Sequence, residues 1–218
     1  MIIKYFGHDE FLLENAAGVK ILTDPYDPKM LNLKEKNIRA DIVTVSHGHG
    51  DHSYIQKVEG YTHLVDREGV FEFENLRIRA IKSFHDEKHG ALRGENLIFV
   101  YETEGLRLAH LGDLGHMPNE SQLEFLKDLD VLFLPVGGKY TIDAKTAKQV
   151  AQTLKPKVII PMHYKLKFGG LSDIESVDSF LAYMQPVKAS YVNLLRIMKE
   201  DILEQPKIAV IAADAEKI

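Results

Sequence analysis

Seven residues, "SHGHGDH" (Ser46–His52), follow directly on the apolar segment "DIVTV" (Asp41–Val45). They gather three of the chain's ten histidines, and an aspartate, at the end of a short apolar run. A continuously apolar run of this length reads as a strand buried on both faces. The polar turn after it then lies at a sheet's carboxyl edge, where open sheets place their sites. His47, His49, Asp51 and His52 are all metal-ligand types, and Gly48 and Gly50 are expected to let a tight loop aim them at one point. A polar loop that happens to be rich in histidine is the bland alternative.

Composition narrows the donors. The chain has no cysteine, so disulfides and thiolate zinc sites are excluded, and any metal must be held by imidazole and carboxylate. Its 218 residues are enough for one sizeable core, and with no repeat or low-complexity linker a single domain over 1–218 is expected. Net charge is −5, and no window concentrates Lys and Arg, so a long nucleic acid is not the expected partner. No apolar run reaches the roughly 18 to 20 residues that span a bilayer. The opening "MIIKYFGHDE" lacks a signal peptide's apolar stretch. The expectation is a cytoplasmic protein with a small-molecule substrate and no membrane partner.

Strand-type runs fill the first half: Ile2–Phe6, Glu10–Glu14, Val19–Thr23, Ile42–Val45, Leu76–Lys82, and a hairpin of Leu97–Thr103 with Leu106–His110 about Glu104-Gly105. Val131–Pro135 and Val158–Met162 are continuous apolar strands, and Lys207–Ala213 reads as a closing strand. Helical spacing appears over Asn119–Leu129, with Asn119 as N-cap, and from Asp143 to Leu154. An S-x-x-E capping box at Ser172 and Glu175 predicts a third helix start there. Two sheets with helices packed outside would satisfy this order.

Three more ligand-type residues follow apolar runs: His85 in "KSFHDE", Asp113 in "HLGD" and His163 in "PMHY". His89 rivals His85, but it lies in the loop "DEKHGALRG", whereas His85 ends a strand.

In their order, "SHGHGDH", "SFHDE", "HLGDLGH" and "PMHY" resemble the successive metal motifs of the metallo-β-lactamase-fold hydrolases. "FGHDEFLLE" and "ILTDP" resemble the branch that contains L-ascorbate-6-phosphate lactonase. The likeness runs from about Ile2 to Tyr164. It implies an α+β fold, a four-layer αββα sandwich. One metal would be held by His47, His49 and His85, a second by Asp51, His52 and His163, with Asp113 bridging. The implied ions are two divalent cations, Zn²⁺ first, with Mn²⁺ or Fe²⁺ as alternatives that the same donors accept. Such a pair makes a shared water acidic enough to supply hydroxide as nucleophile, with Asp51 or Asp113 handling the proton. Iron-containing flavoprotein relatives carry an acidic residue where this chain has His49.

The resemblance therefore implies a metal-dependent hydrolase of a small, anionic ester or lactone. Its alternatives are a phosphodiesterase or nuclease of the same fold, or a non-catalytic module braced by metal. His85 follows His52 by 33 positions and Asp113 follows His85 by 28, spacings short for the superfamily, so the metal motifs transfer better than the substrate. His116 and His8 are candidates to contact substrate or leaving group. Asp24 is either a support for a ligand imidazole or a turn residue before Pro25, and His110 either packs or reaches the site's periphery. "GGKYT" (Gly137–Thr141) either cradles an anion, with Lys139 and Arg93 nearby, or is an ordinary loop before a helix. Residues 187–218 carry no matched motif.

Overall fold

Alternating and continuous apolar runs separated by turn residues favour sheets, and the computed structural model, which describes residues 1–215, contains two large ones. The first half supplies β1 (Ile2–Gly7), β2 (Glu10–Glu14), β3 (Lys20–Thr23), β4 (Ile38–Arg39), β5 (Ile42–Thr44), β6 (Val58–Glu59), β7 (His63–Val65), β8 (Gly69–Phe73), β9 (Leu76–Phe84), β10 (Glu95–Thr103) and β11 (Leu106–His110). The second half alternates: α1 (Glu120–Phe125), β12 (Val131–Pro135), α2 (Ala144–Leu154), β13 (Val158–Met162), α3 (Val177–Tyr183), then β14 (Ala189–Val192), β15 (Leu195–Arg196) and β16 (Ile208–Ile211).

One sheet has the order β15-β1-β2-β3-β5-β7 and the other β14-β16-β13-β12-β11-β10-β9-β8, while β4 and β6 form a small separate pair. In the larger sheet β8 to β11 are antiparallel neighbours, and β11, β12, β13, β16 and β14 pair in parallel. Parallel neighbours need a crossover, and α1 and α2 are the crossovers from β11 to β12 and from β12 to β13. The segment after residue 187 contributes to both sheets, with β15 on the edge beside β1 and β14 on the edge beside β16.

The main core joins Ile3, Tyr5, Phe11 and Leu13 of the smaller sheet to Phe99, Tyr101 and Phe133 of the larger, and extends to Val150 and Phe180 on the helices. A strand's alternate residues face opposite ways. Leu12, Leu22 and Val43 accordingly point outward, into a second cluster with Tyr26, Leu31 and Leu33. The expected α+β sandwich is present. Its helices cover the larger sheet, whereas irregular chain between β3 and β5 covers the smaller one. A buried ion pair between the turn after β5 and β2, Lys57 Nζ to Glu10 Oε2 at 2.5 Å, anchors that cover through Tyr26, whose amide donates to the same oxygen at 3.0 Å and whose ring centre lies 3.6 Å from Nζ. Among the described residues no helix is long and apolar enough to cross a membrane.

Three expectations need correction. The third helix starts at Val177 with Ser176 as N-cap, not at Ser172, because the backbone of Glu175 is already bonded to Gly137 and Lys165. The first helix is capped by Asn119 with Gln122 in a capping box, but it ends at Phe125. Gly48 and Gly50 do not adopt left-handed angles, and at Gly50 the requirement is for space, since a Cβ would lie 2.7 Å from Met30 Sδ. The strands β6, β7 and β8 were not foreshadowed by the sequence reading.

Candidate metal centre

β9, β11 and β13 run in the same direction, so their carboxyl ends share one edge of the larger sheet. His85 stands immediately after β9, Asp113 shortly after β11 and His163 immediately after β13. The loop after β5 brings His47, His49, Asp51 and His52 to them from the smaller sheet. Asp113 is the meeting point. Its Oδ2 lies 2.9 Å from His85 Nε2, 3.3 Å from both His52 Nε2 and His163 Nε2, and 3.9 Å from His47 Nε2.

The neighbours of these imidazoles fix where the protons are. The Nδ1–H of His85 donates to the Tyr140 carbonyl at 2.9 Å and that of His52 to Asp24 Oδ2 at 3.1 Å. Ser46 Oγ donates to Asp24 Oδ2 at 2.6 Å, so its lone pair accepts from His47 Nδ1 at 2.9 Å. A neutral imidazole carries one N–H. In their neutral forms His47, His52 and His85 therefore carry bare Nε2 atoms; that of His47 lies 3.0 Å from His49 Nδ1, and those of His52 and His85 face a carboxylate oxygen that can only accept. Among the described residues His52 Nε2, both nitrogens of His163 and Asp113 Oδ1 are buried without hydrogen-bond partners. Lone pairs converging in a buried space need a cation between them, and this donor set fits divalent ions.

The charges agree. Burial works to raise the Asp113 pKa, but His163 and His52 hold it well below the usual carboxylate range. Burial works against protonation of His52, yet Asp113 and Asp24 together lift that ring well above its ordinary value. His85 is raised by Asp113 in the same way, against burial. His47, buried and next to His52, is lowered to about 3. The site thus attracts positive charge while keeping at least one imidazole, His47, neutral.

Among the described residues the ligand-type atoms gather in four sets within 4.8 Å: His47, His49 and His85; His47, His52 and Asp113; His8, His52 and His163; and Asp9, Asp24 and His52. The first set is the trio implied for one ion. Asp51 belongs to none of the four, and its Oδ2 lies 3.2 Å from His8 Nε2. His8 is buried, and it takes the place beside His52 and His163 where the resemblance put Asp51.

Other candidates are placed plainly. Asp24 touches two of the imidazole systems, as above. His110 is buried, with Nε2 3.1 Å from the Asp9 carbonyl and Nδ1 accepting from the Gly112 amide, so it braces the hairpin tip. His116 accepts from the Phe84 amide at Nε2 and donates to the Met117 carbonyl from Nδ1, which leaves neither ring nitrogen for a substrate. His89 lies edge-on to Phe84 and joins none of the four sets. Lys139 is paired with Asp173, which also accepts from the Tyr140 hydroxyl at 2.9 Å.

The cleft over the cluster, about 370 Å³, is lined by Met30, His49, Asp51, His85, Arg93, Asp113, Tyr140, His163 and Leu171, with Gly50 at its rim. Among the described residues Arg93 is the only Lys or Arg in that lining. Sequence reading missed what holds it. Asp86 accepts four backbone N–H bonds, from Lys88 and Gly90 at Oδ1 and from Leu92 and Arg93 at Oδ2. These bonds keep its carboxyl below the usual range although burial works the other way. The signal available was an Asp next to a candidate ligand and before a Gly-containing loop. Asp9, at the tip of the first hairpin, carried only the signal of a polar residue between two strands, and the motif around His8 pointed to substrate contact rather than to its place beside His52, His163 and Asp51.

Fold and site together define a metal-dependent hydrolase of the metallo-β-lactamase class. The chain belongs to the beta-lactamase superfamily domain family, which matches residues 2–163. Curated relatives named UPF0173 metal-dependent hydrolase include one from Thermoplasma acidophilum, 30% identical over 74% of this chain and 82% of its own. Another, from Carboxydothermus hydrogenoformans, is 29% identical over 75% of this chain and 84% of its own. A crystal structure of a metallo-beta-lactamase superfamily protein from Thermotoga maritima, proposed to be a Zn-dependent hydrolase, is 38% identical. It superposes with a TM-score of 0.79 over 96% of this chain and 97% of that one.

Proposed function

We propose that this chain hydrolyses a small, anionic ester or lactone using two divalent ions, Zn²⁺ foremost. The observation that carries the reading is the convergence of four imidazole Nε2 atoms on Asp113 Oδ2 in a buried space. His47, His49 and His85 would hold one ion, His52, His163 and Asp51 the other, and Asp113 would be shared. When bound, such a pair supplies Lewis acidity and makes a water acidic enough to serve as nucleophile near neutral pH. Around it, Asp24 and the Tyr140 carbonyl fix the imidazole protons, and Asp113 and Asp51 are the carboxylates placed to take a proton.

The size of the cleft, at the lower end of the range for small-molecule sites, favours a small substrate over a polymer. Arg93, half-buried at its wall, is placed to receive a carboxylate or phosphate of that substrate. A neighbouring depression of about 720 Å³, reached past His49 and Arg93, balances Arg67, Lys82 and Arg93 against Asp66, Glu68 and Glu95. It offers no basic track for a nucleic-acid backbone. The kinship motifs "FGHDEFLLE" and "ILTDP" favour a sugar-phosphate lactone within this class, and the relatives' name supports metal-dependent hydrolysis.

The test is a panel assay with Zn²⁺ or Mn²⁺. It sets sugar-phosphate lactones and simple esters against bis-p-nitrophenyl phosphate, cyclic nucleotides and short RNA. Turnover of an anionic lactone or ester supports the reading. Cleavage of RNA with no turnover of any small ester or lactone moves the protein to the nuclease side of its class.

A further inference from the structure

We propose that His8 is a positioning residue that clamps Asp51 for the second ion. The inference rests on the two-ion reading above and concerns a residue outside the implied ligand set. His8 Nε2 lies 3.2 Å from Asp51 Oδ2. An ionised carboxylate only accepts, so in the neutral ring facing Asp51 the N–H sits on Nε2. A nitrogen that carries its proton there has no lone pair for an ion. His8 therefore stands beside His52 and His163 without being their equivalent: its N–H holds one oxygen of Asp51 and leaves the other for the ion.

The backbone explains how a hairpin residue comes to do this. The β1–β2 register shifts between Tyr5 and Gly7, a bulge of the kind that re-aims a side chain. His8 itself adopts a left-handed angle, φ 55°, uncommon for a residue with a side chain. It is held there by its carbonyl, which accepts from the Tyr5 hydroxyl at 3.0 Å and from the His163 amide at 3.0 Å. His163 is also left-handed, φ 50°. Backbone angles of this sort persist where surroundings over-determine them, and they cluster at functional sites. The His8 ring packs against those of both His163 and His52, with centroids 4.2 Å and 4.8 Å away, and its Nε2 reaches Asp51.

The test compares wild type with His8→Ala, His8→Gln and Asp51→Ala, each checked for folding by circular dichroism. In the metal-free wild type, long-range ¹H–¹⁵N spectra are expected to show His8 as the Nε2–H tautomer, and an Nδ1–H tautomer would overturn the proposal. In Zn²⁺ titration calorimetry, His8→Ala is expected to weaken the second ion by about 10- to 100-fold, the usual worth of a group that orients a ligand, and to spare the first. His8→Gln, whose amide N–H can reach the same carboxylate, is expected to restore most of that loss. Wild-type affinity for both ions in His8→Ala overturns the proposal. So does failure of His8→Gln to restore binding while Asp51→Ala keeps both ions, because His8 would then be the ligand. If the wild type takes up a single ion, the two-ion reading fails, and the tautomer alone decides the role of His8.

Discussion

The Asp24 carboxylate serves imidazoles of both ion sets. It accepts from His52 Nδ1 at 3.1 Å and, through Ser46 Oγ at 2.6 Å, fixes His47, whose Nδ1 is 2.9 Å from that hydroxyl. Asp24 follows β3 and Ser46 follows its parallel neighbour β5, and Asp24 is fully buried. Ordinary side chains could support one ligand each; this one couples two. Asp24→Ala is therefore expected to weaken both ions together, each by about 10- to 100-fold, with hydrolytic activity falling in parallel. Zinc titration calorimetry checks it. Loss of one ion alone would show that Ser46 does not transmit the effect to His47.

His85 and His89 are the pair in which a proposed ligand is to be told from a bystander. His85 follows a nine-residue strand, and its Nδ1 is anchored on Tyr140, while His89 sits at φ 54° in the loop organised by Asp86. His85→Ala is expected to lose the first ion and to cut turnover by more than the roughly 100-fold that supporting groups are worth. His89→Ala is expected to bind metal normally and to change turnover little. Elemental analysis of both variants after metal-replete expression decides between them, and the reverse pattern would exchange the two assignments.

Arg93 is expected to govern binding of the anionic group rather than the bond-breaking step. Removing a charge-assisted hydrogen bond costs about 1.5 to 3 kcal/mol. Arg93→Ala should therefore raise KM for an anionic ester by about 10-fold or more, with kcat little changed and with a neutral ester unaffected. Asp86→Ala should move KM in the same direction, since four amides of the Arg93 loop lose their acceptor. Steady-state kinetics on matched charged and neutral esters measure both. An equal effect on the two esters would mean that Arg93 only shapes the cleft.

Much of this site is visible in the sequence because each metal-type residue follows an apolar run, and a strand's end is a place that pattern alone can locate. His47, His49, His85, Asp113 and His163 are of that kind. His8 is not: its position depends on a bulge and on a bond to His163, 155 residues away in the chain, which no local pattern encodes. Asp86 likewise shows its role only once the loop closes on its carboxylate. The capping box at Ser172 misled for the same reason, since tertiary bonds to Glu175 prevailed over local helix chemistry. The two-residue strands β4 and β6 carry too few side chains for alternation to register.

The helix start behind the site gives the last prediction. Asp143 caps α2 by accepting from the Thr146 amide at 2.7 Å, and the turn before it carries Tyr140, whose carbonyl holds His85. Losing an N-cap of this kind costs about 1 kcal/mol, so Asp143→Ala should lower stability by that amount near neutral pH. Bonds from the Thr146 side chain and amide hold the Asp143 carboxyl below its ordinary value. For a carboxylate depressed in the folded state, the stabilisation is complete above the unfolded pKa, about 3.9, and fades as pH falls through the lower folded value. The gap between wild type and Asp143→Ala should therefore be full at about pH 6 to 7 and should shrink below about pH 4. Asp143→Asn, which caps without a charge, should stay close to wild type near neutrality. Urea denaturation of the three proteins across that range measures it, and a gap that widens on acidification would show that the capping carboxylate is not the group being titrated.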